Sequence, residues 1–398
     1  MQPANGTHLL FLEGEGILFS ESSQKIFHLN TIATYVWCLI EEKKSAREIV
    51  DNLQSTFSLS TTKADEYLRQ TEQLFESMGI LAGNQELPDE QNQEPPCDQN
   101  PHQYGDSDFI AERRYRLLSS SFAIRFTDLE QVSLIDPVLG QLTEENPDKP
   151  TVTIDIIKNE ASEIGLYRDK MQQLVCSEPS KLAPLVKGLV WQTAVVAHSF
   201  FLDIHAGVVG DGQYCYLLPA APGSGKSTLT AALVHSGLEY FSDEVALLDE
   251  SNFHVQPVPL ATCVKNTGIE ALSPYYPELP LLTEHLRGDG KRVRYMPPIK
   301  SALPPSGISR PVGAIIFPKY APDQQARISC INALEALQRL LEECLIVDTH
   351  LDLKTVIRLL NWIKKTPCYS LKFNNLDEAI SEIKVIIQES KKGNSPTK

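Results

Sequence analysis

Two short stretches carry residue types that could do chemistry. Leu218–Thr228 reads LPAAPGSGKST, and Asp243-Glu244 places two carboxylates about 17 residues beyond Lys226. A loop that leaves a strand and turns into a helix aims several backbone N–H groups at one point. The helix start adds partial positive charge there. Gly223 and Gly225 supply the backbone freedom such a cradle needs. The stretch Ala221, Pro222, Gly223, Ser224, Gly225, Lys226, Ser227 and Thr228 therefore fits a nucleotide phosphate chain. Lys226 can reach the β- and γ-phosphates, and the Ser227 hydroxyl can bind Mg²⁺. The usual pattern G-x-x-x-x-G-K-[ST] opens with glycine where this chain has Ala220, which is tolerable if φ there stays negative. A Mg²⁺–nucleotide site also needs a carboxylate at the tip of a neighbouring strand. Asp243 takes that role, and Glu244 is either metal support or a general base. His205, in FLDIHAGVV, is either a charge-stabilising or proton-moving group or a structural histidine.

These residues need elements to position them. YCYLLP reads as a strand, AAPGSGKS as the loop, TLTAALVHSG as a helix, and EYFSDEVALLD as a second strand with acids at its end. Before them, residues 109–200 mix strands at Phe122–Phe126 and Thr151–Ile157 with a long helix from about Lys181 to Phe200. Further upstream, short β-like runs at His8–Leu12, Ile17–Ser20 and Lys25–Leu29 precede three helical patterns. Asn30 or Thr31 caps the first, burying Ile32, Tyr35, Val36 and Leu39. Ser45 and Glu48 form a capping box for the second. Thr61 or Thr62 starts the third, which buries Leu68, Leu74, Phe75 and Met78 and ends at Gly79. Residues 84–108 hold four prolines and seven acidic residues with almost nothing apolar, and so read as a linker.

Composition bounds the rest. The chain has 398 residues, 42% hydrophobic and 22% charged, which suits a globular protein of two or three domains. A net charge of −15 excludes a broadly basic surface for nucleic acid or anionic membrane. The third N-terminal helix sets Lys63 and Arg69 against Asp65, Glu66, Glu72 and Glu76, so it does not read DNA. No run approaches the length of a membrane span, and the N-terminus lacks a signal-peptide pattern. Eight scattered cysteines without a C-x-x-C pair point to a reduced cytoplasmic protein.

HAGVV followed by YLLPAAPGSGKSTLTAALVHSGLEYFSDEVAL resembles the catalytic core of the HPr kinase superfamily, in the branch called HPr-kinase-related kinase A. CVKNTGIEAL (263–272), RYMPP (294–298), IIFPKY (315–320) and CYSLKFNNLDEAI (368–380) resemble further elements of that branch. The similarity spans about residues 109–385. It implies that Asp243 binds Mg²⁺, that Glu244 or Asp243 activates an attacking hydroxyl, that His205 sits near the transferred phosphate and that Lys265 lines the cleft. True HPr kinase/phosphorylases have glycine in place of Ala220, glutamate in place of Thr228 and paired aspartates in place of Asp243-Glu244. Those differences bear on the reverse reaction and on HPr as substrate.

Leu29-Asn30, Ala33, Val36-Trp37, Glu48-Ile49, Leu53 and Gly79-Ile80-Leu81 resemble the pattern of PqqD-like proteins, recognition elements of peptide-modification pathways. The resemblance implies that a peptide adds as a strand beside Lys25, Ile26, Phe27, His28 and Leu29, with the helix around Tyr67–Phe75 as the other wall. Trp37 itself reads as core.

The expected fold class is an α+β winged-helix-like N-terminal domain plus an α/β P-loop kinase domain of HPr kinase C-terminal type. The expected divisions are 1–83, a linker 84–108, a subdomain 109–200, a catalytic domain 201–386 and a tail 387–398. The expected activity is transfer from ATP, with Mg²⁺, to a Ser or Thr hydroxyl of a peptide or small protein. A nucleotide-dependent peptide chaperone and a metabolite kinase are the alternatives. HPr kinases form hexamers, and a homo-oligomer is left open.

Overall fold

The short β-like runs at the start of the chain form three antiparallel strands. A computed structural model describes residues 1–82, 105–144, 149–159, 163–198, 200–249, 251–343, 345–346 and 350–393. Most of the stretch expected to be a linker, 84–104, lies outside the described residues.

In the first unit, β1 (Thr7–Leu12), β2 (Glu15–Ser20) and β3 (Lys25–Leu29) pair in that order. Three helices follow: α1 (Thr31–Glu41), α2 (Ala46–Phe57) and α3 (Thr61–Ser77). Asn30 caps α1 and the Ser45/Glu48 box caps α2, as their side chains predict. α3 starts at Thr61, one of the two expected positions, and Ser60 caps it, its hydroxyl accepting from the Lys63 N–H. Trp37 is fully buried and meets Phe75 edge-on, with ring centroids 5.3 Å apart. Leu74, expected in the core, is instead exposed, since Phe75 takes the inward position of that turn.

The second unit begins with β4 (Ala111–Leu117), β5 (Ser120–Phe126), α4 (Leu129–Leu139), β6 (Val152–Lys158), β7 (Ile164–Arg168), β8 (Met171–Cys176) and α5 (Pro179–Val196). Its five strands pair in chain order. Next come β9 (Leu202–Ile204), β10 (Ala206–Gly210), β11 (Cys215–Pro219), α6 (Lys226–His235), β12 (Glu239–Ser242) and β13 (Ala246–Leu248). The chain continues through β14 (Thr262–Lys265), α7 (Asn266–Leu272), β15 (Glu284–Leu286), β16 (Arg292–Met296), β17 (Val312–Tyr320) and β18 (Arg327–Cys330). It ends with α8 (Ala333–Glu343), β19 (Leu345–Ile346), α9 (Leu353–Lys365), β20 (Cys368–Phe373) and α10 (Leu376–Gly393). The central sheet runs β12-β10-β11-β17-β20-β18.

Two departures from the expected divisions have physical causes. No core boundary falls at residue 200: Leu182, Val186 and Val190 of α5 share one apolar cluster with Leu247, Val258 and Leu260. In addition, Asn332–Arg339 and Thr349–Thr366 cluster with the first unit, not with the catalytic segment. There α9 packs on β1, and Gln24 exchanges two hydrogen bonds with the Leu351 main chain. Among the described residues no helix is long and apolar enough to cross a membrane.

The strand–loop–helix arrangement depends on close approach of α6 to β10. A Cβ on Gly207 would lie 2.1 Å from Thr230 Oγ1, which is buried and donates to the Lys226 carbonyl at 2.9 Å. Gly207→Ala should therefore destabilise the fold by about 1–3 kcal/mol. Adding Thr230→Ala should recover part of that loss, read as coupling in urea denaturation of the single and double variants.

Candidate functional site

The loop after β11 turns at two glycines, Gly223 with φ of +95° and Gly225 with φ of +85°. Ala220 is not among the residues with positive φ, so the departure from glycine costs no backbone strain. Ser224 Oγ donates to the Ala221 carbonyl at 2.8 Å, and the Tyr320 N–H donates to the Ser224 carbonyl at 3.0 Å. These bonds fix the loop against the end of β17. A Cβ on Gly225 would meet Phe373 Cζ at 3.1 Å, a second reason for glycine there.

A cavity of about 580 Å³ opens over this loop. His205, Ala221, Pro222, Gly223, Gly225, Lys226, Ser227, Thr228, Asp243, Glu244 and Lys265 all line it, so most of the predicted chemistry converges on one space. Ser224 is not among the lining residues and serves the loop's shape instead.

Lys226 is buried, and its ammonium donates to the Asp243 carbonyl at 2.6 Å. The Asp243 carboxylate accepts from Tyr240 Oη at 3.3 Å and from the Cys263 N–H at 3.2 Å. Burial pushes the Asp243 carboxyl up from its ordinary value, against the charges of Lys187 and Lys226. Glu244 behaves oppositely. Burial pushes it up, but the Lys187 ammonium, 2.6 Å away, prevails together with Lys226, and the carboxyl lies below its ordinary value. Burial and the Lys226 charge push the His205 imidazole down, against Glu244, so the ring is neutral at neutral pH.

Three residues important to this geometry escaped the motif reading, and a fourth, Tyr320, stands at the end of the motif IIFPKY. Lys187, on α5, is buried and lies 5.4 Å from the Tyr295 ring centroid. Its signal was a lone cation inside the apolar run LAPLVKGLVW. Arg287 and Lys291 add cations to the cavity wall, opposed by Asp289. Tyr320 also lines the cavity and packs edge-on against Phe373, with centroids 6.0 Å apart.

The donor chemistry suits a small hard cation. Ser227 and Asp243 offer a hydroxyl and a carboxylate oxygen to the cavity. Magnesium is characteristically held by one or two carboxylates plus phosphate and water, so this sparse set fits it.

In the first unit, β3 has β2 on one side only. Lys25 and His28 are exposed, Ile26 and Phe27 half-buried and Leu29 buried, so Leu29 can offer a partner only its main chain. His28 Nδ1 lies 3.0 Å from Gln338 Nε2, a residue of the segment that clusters with this unit. On α3, Tyr67 and Leu74 are exposed seven positions apart, while Phe75 belongs to the core.

The family model described as coenzyme PQQ synthesis protein D (PqqD) matches residues 15–78. The chain carries a PqqD-like domain at its N-terminus. No curated protein matches the chain. Among solved structures, TbiB1 in complex with the TbiA(beta) leader peptide shares 22% sequence identity. That match covers 22% of this chain and 100% of TbiB1, with a TM-score of 0.20. The PqqD-like match spans β2 through α3 and leaves the loop cavity of the second unit outside it.

Lys187→Met should leave Glu244 without its nearest cation. The expected destabilisation is about 1–3 kcal/mol by urea denaturation, below the figure for a fully buried pair because the Glu244 side chain is 40% exposed. His205 is held below its ordinary value of 6.5, so the unfolded chain binds that proton more readily. Its contribution is complete above pH 6.5 and is lost as the pH falls through the lower folded value. His205→Gln should flatten that part of the stability–pH profile.

Proposed function

We propose that this chain is a kinase of the HPr kinase type. It transfers the γ-phosphoryl group of ATP, with Mg²⁺, to a Ser or Thr hydroxyl of a peptide bound by its PqqD-like domain. The observation that supports this most is the composition of one cavity. In a chain of net charge −15, Lys226, Lys265, Arg287 and Lys291 line the same space as a glycine loop and the Asp243-Glu244 pair. With Asp289 included, four cations face three carboxylates there; beside oriented N–H groups this suits a polyanion, and a carboxylate held ionised beside it can take a proton.

The roles divide by environment. Ser227 and Asp243 would hold Mg²⁺, which when bound neutralises charge on the phosphate oxygens. Lys226 and the N–H groups of the loop orient the phosphates. Lys265 lines the cleft, and the exposed Tyr320 ring offers a face for the nucleobase. Glu244, ionised and open to the cavity, accepts the proton of the acceptor hydroxyl. The hydroxyl oxygen forms the new bond to phosphorus, the bond to the bridging oxygen breaks, and ADP leaves. His205, neutral, stands beside the transferred group as a hydrogen-bonding partner.

Peptide capture follows from the edge of β3. A peptide pairing there gains main-chain hydrogen bonds, and exposed Tyr67 and Leu74 on α3 offer apolar contact.

Lys226→Ala should abolish phosphopeptide formation from Mg²⁺-ATP while leaving peptide affinity within about twofold. Mass spectrometry of the peptide and fluorescence anisotropy of a labelled copy read the two quantities. Release of ADP with no phosphopeptide, from any peptide that the first unit binds, would overturn the kinase reading in favour of nucleotide-driven peptide delivery.

A further inference from the structure

A second recess, of about 310 Å³, adjoins the loop cavity. Glu244, Cys263, Arg287 and Asp289 line both spaces and form their common wall. The rest of the recess differs in character: Pro184, Leu185 and Trp191 of α5 and Tyr295 of β16 give it an apolar and aromatic lining. Lys187, paired with Glu244, lines the recess but not the loop cavity.

Gly188 lies in the recess lining, in the interior of α5. A glycine inside a helix is unfavourable relative to alanine. Packing does not require it here, because a Cβ at Gly188 would have nothing within 4 Å, and its φ lies outside the left-handed region. A side chain at this position would project into the open recess, so glycine keeps that space free.

We propose that this recess is the acceptor subsite. It takes an apolar side chain adjoining the hydroxyl-bearing residue of a peptide, and so holds that hydroxyl at the Glu244 carboxylate. The proposal rests on the phosphoryl-transfer reading above. In-line displacement needs the attacking oxygen and the leaving oxygen on opposite sides of the transferred phosphorus. Two adjoining spaces give the phosphates a place over the glycine loop and the acceptor residue a separate place in the recess, with Glu244 in the wall between them. The hydroxyl proton passes to Glu244 as the oxygen–phosphorus bond forms and ADP departs. A volume near the lower end of the range for ligand pockets admits one or two residues rather than a folded protein surface. The apolar lining selects for Leu-, Val- or Phe-like neighbours of the acceptor over charged ones.

The test uses the full chain, Mg²⁺-ATP labelled at the γ-phosphate, and a synthetic peptide array. Each peptide carries one serine or threonine between randomised neighbours. The unaltered chain should phosphorylate peptides with an apolar residue beside the acceptor. Gly188→Leu should keep or raise the melting temperature, bind Mg²⁺-ADP as before, and lose about tenfold to a hundredfold in kcat/KM on those peptides. Gly188→Ala should fall between, and it keeps the comparison readable if the larger side chain perturbs α5. Unchanged transfer and unchanged neighbour preference in Gly188→Leu would overturn the subsite while leaving the kinase reading intact. Loss of Mg²⁺-ADP binding in Gly188→Leu would assign the recess to the nucleotide and overturn the proposal. No phosphopeptide from the unaltered chain would overturn the kinase reading, and the acceptor subsite with it.

Discussion

A buried ammonium ties the second unit together. Lys226 leaves the glycine loop as the first residue of α6 and donates to the main-chain oxygen of Asp243, just past the end of β12. A cation removed from water must find oxygen partners, so the start of the helix and the strand end are held in one register. Everything else in the cavity follows from that register. It requires α6 to lie close on β10, hence Gly207 beneath Thr230. It also presents the two carboxylates to the loop, with Ser242 Oγ accepting the Glu244 and Val245 N–H groups that shape the turn.

The adjacent carboxylates are driven in opposite directions. Asp243 is enclosed by Tyr240 and the Cys263 main chain, and burial raises it. Glu244 reaches the Lys187 ammonium and is lowered despite burial. The difference lies in their surroundings, an apolar and hydrogen-bonded enclosure for one and an ammonium partner for the other. Lys187 makes that difference possible, and it arrives from α5, a helix well before the loop in sequence. The apolar cluster joining α5 to Leu247, Val258 and Leu260 holds it in place.

Local chemistry was legible where a rule acts over a few residues. Asn30 and the Ser45/Glu48 box mark helix starts because a side-chain oxygen answers a nearby N–H. Gly223 and Gly225 announce left-handed backbone, and Ala220 was acceptable for the reason its φ bears out. Leu74 and Phe75 show the limit. Both are large and apolar on α3, but Phe75 shares the buried face of Ala64, Leu68 and Thr71 and meets Trp37, while Leu74 falls off that face.

By itself, the sequence determined the glycine loop, its lysine and hydroxyls, the acid pair and the small N-terminal module, because each is written in residues close together along the chain. Tertiary structure alone decided that Lys187 neutralises Glu244, that Gly188 faces open space, and that Asn332–Arg339 and Thr349–Thr366 cluster with the first unit. The physical reason is range. Capping, turn geometry and helix periodicity act within a few residues, whereas burial and charge pairing join groups that only the folded chain brings together.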